Sequence, residues 1–117
     1  MPGSIWIEWL MFKVINFSGD TIRLDECGVS QTVTASCRRS GSIVEGIVAL
    51  DDAISLVCSE KTDDFQRSYR FTALGYVSYD EICAVLRSRY DSGFRTVGVF
   101  LLDDGYWSLT EKILFDN

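Results

Sequence analysis

Apolar and polar positions divide the chain into a series of short β-rich stretches and one clear helix. From Ile5 to Phe17 the apolar residues are nearly continuous and rich in Trp, Ile, Phe and Val, as expected of a strand buried on both faces or one pairing with another subunit. Ser18-Gly19-Asp20 breaks the run, and Thr21 to Leu24 reads as the return strand of a hairpin. Gln31 to Cys37 alternates β-branched with small polar residues, Arg38-Arg39-Ser40-Gly41 is a polar turn, and Ser42 to Leu50 is again β-branched. This predicts a second hairpin, with Gly46 marking a bulge or a close backbone approach. Ala53 to Ser59 fits another strand or one short helix, since a seven-residue apolar run does not separate the two by period, and is read as a strand.

Phe65 to Leu74 places Phe65, Arg67, Tyr69, Phe71 and Ala73 on one face and Gln66, Ser68, Arg70 and Thr72 on the other. That is the alternation of a half-solvated strand. Ser78 followed by Glu81 has the spacing of a capping box. Behind it Tyr79, Ile82, Val85, Leu86 and Tyr90 form one apolar stripe at helical spacing. Arg87 and Asp91 can pair one turn apart, and Gly93 can end the helix in a left-handed conformation. Arg95 to Leu102, the turn Asp103-Asp104-Gly105, and Tyr106 to Leu114 read as a closing hairpin. The predicted fold is therefore α+β: a mostly antiparallel, hairpin-rich sheet of about six or seven strands, drawn as one layer. One main helix, about 78–91, packs on one face through Ile82, Val85, Leu86 and Tyr90.

Length and composition fit this picture. A chain of 117 residues with 47% hydrophobic and 24% charged residues is sized for a single domain, 1–117, with one core. The net charge of −6 disfavours nucleic acid and anionic membrane as partners, since both call for a basic surface. The Ile5–Phe17 stretch is interrupted by Glu8, Lys13 and Asn16 and falls short of the ~20 apolar residues a membrane span needs. Cys27, Cys37, Cys58 and Cys83 contain no CxxC pair. They are read as reduced structural thiols in a cytoplasmic protein, with Cys37, beside Arg38, the one with a local reason for a lowered pKa.

The absence of histidine removes the usual general base, the Ser-His and Cys-His pairs and the commonest metal ligand. Phosphate-binding glycine motifs, the hydrolase elbow and calcium-loop patterns are also missing. Asp51-Asp52, Asp63-Asp64 and Asp103-Asp104 fall where turns are expected and are read as solvated turn residues. Arg67, Arg70, Arg87, Arg89 and Arg95 are read as scattered ion-pairing residues. No catalytic, cofactor or metal residue is assigned.

Two surfaces remain as candidates. Trp6, Trp9, Leu10 and Phe12 put large apolar groups on one strand and form a candidate interface, with a homodimer as the simplest outcome. Tyr69, Phe71, Tyr79, Tyr90 and Trp107 form a candidate pocket between sheet and helix. The functional expectation is a small acidic, non-enzymatic protein-interaction domain of adaptor, inhibitor or immunity type, a profile associated with accessory genes of mobile elements. The alternative is a small-ligand domain using that apolar pocket, and behind it a carboxylate-based enzyme.

Overall fold

A computed structural model describes residues 12–114. Six strands form two antiparallel sheets, in place of the single layer expected. β1 (Phe12–Ser18), β2 (Ser42–Leu50) and β3 (Ala53–Glu60) lie in the order β1-β3-β2. β4 (Gln66–Gly75), β5 (Arg95–Leu102) and β6 (Gly105–Leu114) lie in the order β4-β6-β5. Each sheet is one tight hairpin with a third strand added. Asp51 and Asp52 close β2–β3 with φ of 51° and 59°, the positive values that a type I′ turn requires and that Asp tolerates better than most residues. Asp103-Asp104 closes β5–β6. The sheets meet where β2 runs beside β5. There Gly98 leaves room for Ile47, whose Cδ1 would lie 3.0 Å from an added Cβ.

Two segments read as strands are helical. Gly19–Leu24 forms α1, capped by Ser18, whose hydroxyl accepts from Thr21 N. Glu26–Ser40 forms α2, and it replaces the strand expected over Gln31–Cys37. Val29, Val33 and Cys37 recur every four residues and bury one stripe of α2 in the core, so the helical period outweighs the β-branched alternation. The caps agree: the Asp25 carboxylate accepts from Gly28 N, and Gly41 ends the helix at φ 62°. Ser and Thr are weak helix formers because their hydroxyls compete for backbone. In α2 those hydroxyls bond within the helix, Ser30 to Glu26 O, Thr32 to Gly28 O and Thr34 to Ser30 O.

The helix expected at 78–91 is present as α3 (Tyr79–Asp91), with Ser78 accepting from Glu81 N, an Arg87–Asp91 pair at 3.7 Å and Gly93 at φ 92°. It contacts β5, and Arg89 Nη1 donates to Thr72 Oγ1 at 3.0 Å. Ile82 and Leu86 are half-buried, whereas Val85 is 37% and Tyr90 69% exposed. The reason lies beneath it: by register Thr72, Ser108 and Thr110 share the face to which α3 is bonded, so the helix meets a polar surface. The apolar core lies on the other side, where Ile22, Val33, Ile54, Leu56, Phe71 and Leu109 are at most 2% exposed. Phe71 packs edge-on against both Phe17 and Phe100.

Arg23 of α1 ties the two hairpin turns together. Its guanidinium forks onto Asp52, with Nη1–Oδ1 at 2.9 Å and Nη2–Oδ2 at 2.6 Å, and reaches Asp104 at 3.4 Å and Asp20. Asp103 N also donates to Asp52 Oδ1. Arg23 first, and then the Asp103 amide, hold the Asp52 carboxyl down to about 2, from an ordinary 3.8. Arg67 lowers Asp63 in the same direction. A carboxyl depressed by folding contributes stability above its unfolded pKa and loses that contribution as pH falls through its folded pKa. Urea midpoints should therefore hold steady from pH 7 to about 4 and fall between about 4 and 2. Asp52→Asn should start from a lower midpoint and fall less over that window; an unchanged acid slope would remove Asp52 as a source of it.

Candidate functional site

The site begins with an edge strand. In the order β4-β6-β5, β4 has a free side whose amides need acceptors. Helix α2 lies along that side and supplies them: Thr34 Oγ1 accepts from Tyr69 N and Ser30 Oγ from Phe71 N, each at 2.9 Å. The four-residue spacing of Ser30 and Thr34 on the helix matches the two-residue spacing of outward amides on the strand. The edge is thus closed by helix side chains.

Outside this seam runs an open groove of about 440 Å³. One wall is the solvent side of α2 from Glu26 to Arg38; the other is Ser68 to Phe71 of β4, with Phe94 at the margin. A second hollow of about 330 Å³ continues from it, sharing Arg70 and Phe94 and adding Val85, Ser88, Arg89 and Ser92. The Phe94 ring is flanked by cations, with Arg70 Cζ 6.0 Å and Lys112 Nζ 5.3 Å from its centroid, within the range of cation–π attraction.

Of the aromatic residues expected to line a pocket, Tyr69 and Phe71 do border this groove, though their rings are buried at 2% exposure. Trp107 is a core residue whose indole N–H donates to the Asp104 carboxylate at 3.0 Å. Tyr79 and Tyr90 stand exposed on α3, at 79% and 69%. The groove that Tyr69 and Phe71 border runs against α2, whereas the hollow on the α3 side is lined by Arg70, Val85, Ser88, Arg89, Ser92 and Phe94 and by none of the five aromatic residues. Trp6, Trp9 and Leu10 of the candidate interface lie outside the described residues, and of Phe12 only the backbone, the first residue of β1, is described. Arg38 and Phe94 complete the groove and Arg89 lines the second hollow; the sequence pattern does not group them. Arg38 sits on a helix where the sequence predicts a turn, and Phe94 follows a glycine just outside a predicted strand.

Asp52, Asp63 and Asp104 each bond an arginine. Among the described residues no three His, Cys, Asp or Glu side chains gather as a metal site. All four cysteines are free, with Cys27 and Cys83 exposed and Cys37 and Cys58 buried. A hydrogen bond from Cys58, then Ser42 and the Lys13 charge, draws the Cys37 thiol down, while the same pairing pushes Cys58 up. At 4% exposure Cys37 is out of reach of a substrate. The hollow beside it, about 10 Å³, holds no more than one water.

Among the described residues no helix is long and apolar enough to cross a membrane. No protein-family model, curated protein or solved structure matches the chain.

Proposed function

We propose that the protein is a non-enzymatic interaction domain that holds a segment of a protein partner in the groove between α2 and β4. The observation that supports this most is the shape of that groove. It follows α2 from Glu26 to Arg38, a length of about 18 Å, enough for about five or six extended residues. It is open along its length, whereas a small-molecule site encloses most of its ligand. Because the Tyr69 and Phe71 amides are already taken by α2, a bound segment would be read by side chains and not by strand addition.

Ala35 is an exposed residue of the α2 wall, so Ala35→Trp fills the groove without entering the core. Selection of random 12-residue peptides on the full chain is expected to enrich a family that binds the wild type and not Ala35→Trp. No enriched family, or one indifferent to Ala35→Trp, would overturn the reading.

A second copy is a further partner to test. β1 is an edge of its sheet and exposes Val14 at 45%, which favours pairing along that edge. Sedimentation equilibrium at micromolar concentration is expected to show a dimer; a monomer discards this mode.

A further inference from the structure

We infer that the occupant of the groove is an acidic segment of a protein partner, its carboxylates held by Arg38, Arg70 and Arg89 and one apolar side chain laid against Phe94. The inference rests on the peptide-groove reading above and adds the chemistry of the peptide. Its basis is the distribution of ion pairs. The chain has 17 acidic and 11 basic side chains, so carboxylates are plentiful. Arg23, Arg67, Arg87 and Arg95 each take at least one. Arg38, Arg39, Arg70 and Arg89 have no carboxylate within ion-pair distance among the described residues, and of these only Arg39 lies outside the hollows. Arg38, Arg70 and Arg89 come from three different elements, α2, β4 and α3; Arg38 and Arg70 line the groove, and Arg70 and Arg89 line the second hollow, which shares Phe94 with it. The single carboxylate in their lining is Glu26, in the first turn of α2 and about 18 Å along the helix from Arg38.

Local charge therefore opposes the charge of the whole chain. At physiological salt the Debye length is about 8 Å, so a short segment in the groove meets the arginines and not the acidic surface beyond. A nucleic acid extends far past the groove and meets that repulsion over most of its length. Guanidinium forks match carboxylates in geometry. The Phe94 ring, half-buried between Arg70 and Lys112, offers an apolar seat among them. Aspartate and glutamate around one large apolar residue is the chemistry that fits.

The test uses the full chain and four fluorescent probes: a 10-residue Asp/Glu peptide with one central Leu, its Asn/Gln counterpart, ATP, and single-stranded DNA of 10 nucleotides. The acidic peptide is expected to bind and its neutral counterpart at least tenfold more weakly, with affinity falling severalfold between 50 and 300 mM salt. Arg38→Ala and Arg70→Ala should each weaken it about threefold or more, as partly exposed ion pairs do. Arg39→Ala, exposed in the same last turn of α2 but outside the lining, should change nothing. Equal binding of the neutral peptide, or indifference to both arginine changes, overturns the inference. So does tighter arginine-dependent binding of ATP or DNA. If random selection yields an Ala35→Trp-sensitive family that is neutral, the groove reading stands and the acidic occupant falls; if it yields none, the groove reading itself falls.

Discussion

Gly105→Ala should unfold the protein or leave it barely folded. Gly105 opens β6 at φ 122°, a region L-residues rarely enter. Its position is also crowded: a Cβ there would lie 2.7 Å from the Gly75 carbonyl carbon and 2.9 Å from its Cα and oxygen. These are backbone atoms at the end of β4, so no side-chain rotation relieves the contact. The end of β4 or the β5–β6 turn would have to move. Strain at positive φ costs on the order of 1–3 kcal/mol and overpacking a similar amount, against a total stability of about 5–15. The urea midpoint should drop by at least about 1 M, or the variant should be insoluble. Gly46→Ala is the control, since a Cβ there meets nothing within 4 Å. Equal stability of the two variants would mean that β4 and β6 do not meet at these glycines.

The contrast between these glycines shows what the sequence made legible. The sequence predicts a bulge or a close approach at Gly46, and the register of β2 does shift between Val44 and Gly46; the tight backbone contact lies instead at Gly105, which the pattern marks only as part of a turn. Local patterns held wherever one period dominated. The β5–β6 hairpin, the Phe65–Leu74 strand and the capped helix ending at Asp91 all follow from spacing alone. The alternation of Gln31 to Cys37 misled because its β-branched residues satisfy two periods at once. Val29 and Val33 lie four apart, yet Val33 also alternates with Thr32 and Thr34. Asp25 and Gly41, the two caps, were the residues that could have decided it. The groove was half legible for the same reason: Tyr69 and Phe71 came from a correctly read strand, whereas Arg38 came from the misread helix. Which face of the second sheet would be apolar also decided how deeply α3 sits, and that depends on long-range pairing with β6.

Removing the Glu111 carboxylate should cost about 3–5 kcal/mol, the range for breaking a buried ion pair from one side. Glu111 continues the inward parity of Trp107 and Leu109 on β6, so it enters the core at 3% exposure. Its Oε2 accepts from the Tyr69 hydroxyl at 2.8 Å; its Oε1 accepts from Arg95 Nη2 at 3.0 Å and faces Arg67 Nε at 3.6 Å. Tyr69 in turn accepts from Val44 N at 2.9 Å, beside the β2 bulge. Burial, and then Glu111, push the Tyr69 hydroxyl well above its ordinary range, so it stays protonated and donates. One phenol therefore joins the second sheet to the backbone of the first. Glu111→Ala leaves that hydroxyl proton unpaired and leaves the Arg67 charge with Asp63 alone. Tyr69→Phe orphans a buried amide and one carboxylate oxygen, at about 1–3 kcal/mol. The two share one hydrogen bond, so the double variant should fall short of the sum by at least about 0.5 kcal/mol. Urea denaturation followed by circular dichroism at pH 7 measures all four corners of the cycle. Strict additivity, or a Glu111→Ala loss below about 1 kcal/mol, would show that Tyr69 and Glu111 do not act as one unit joining the two sheets.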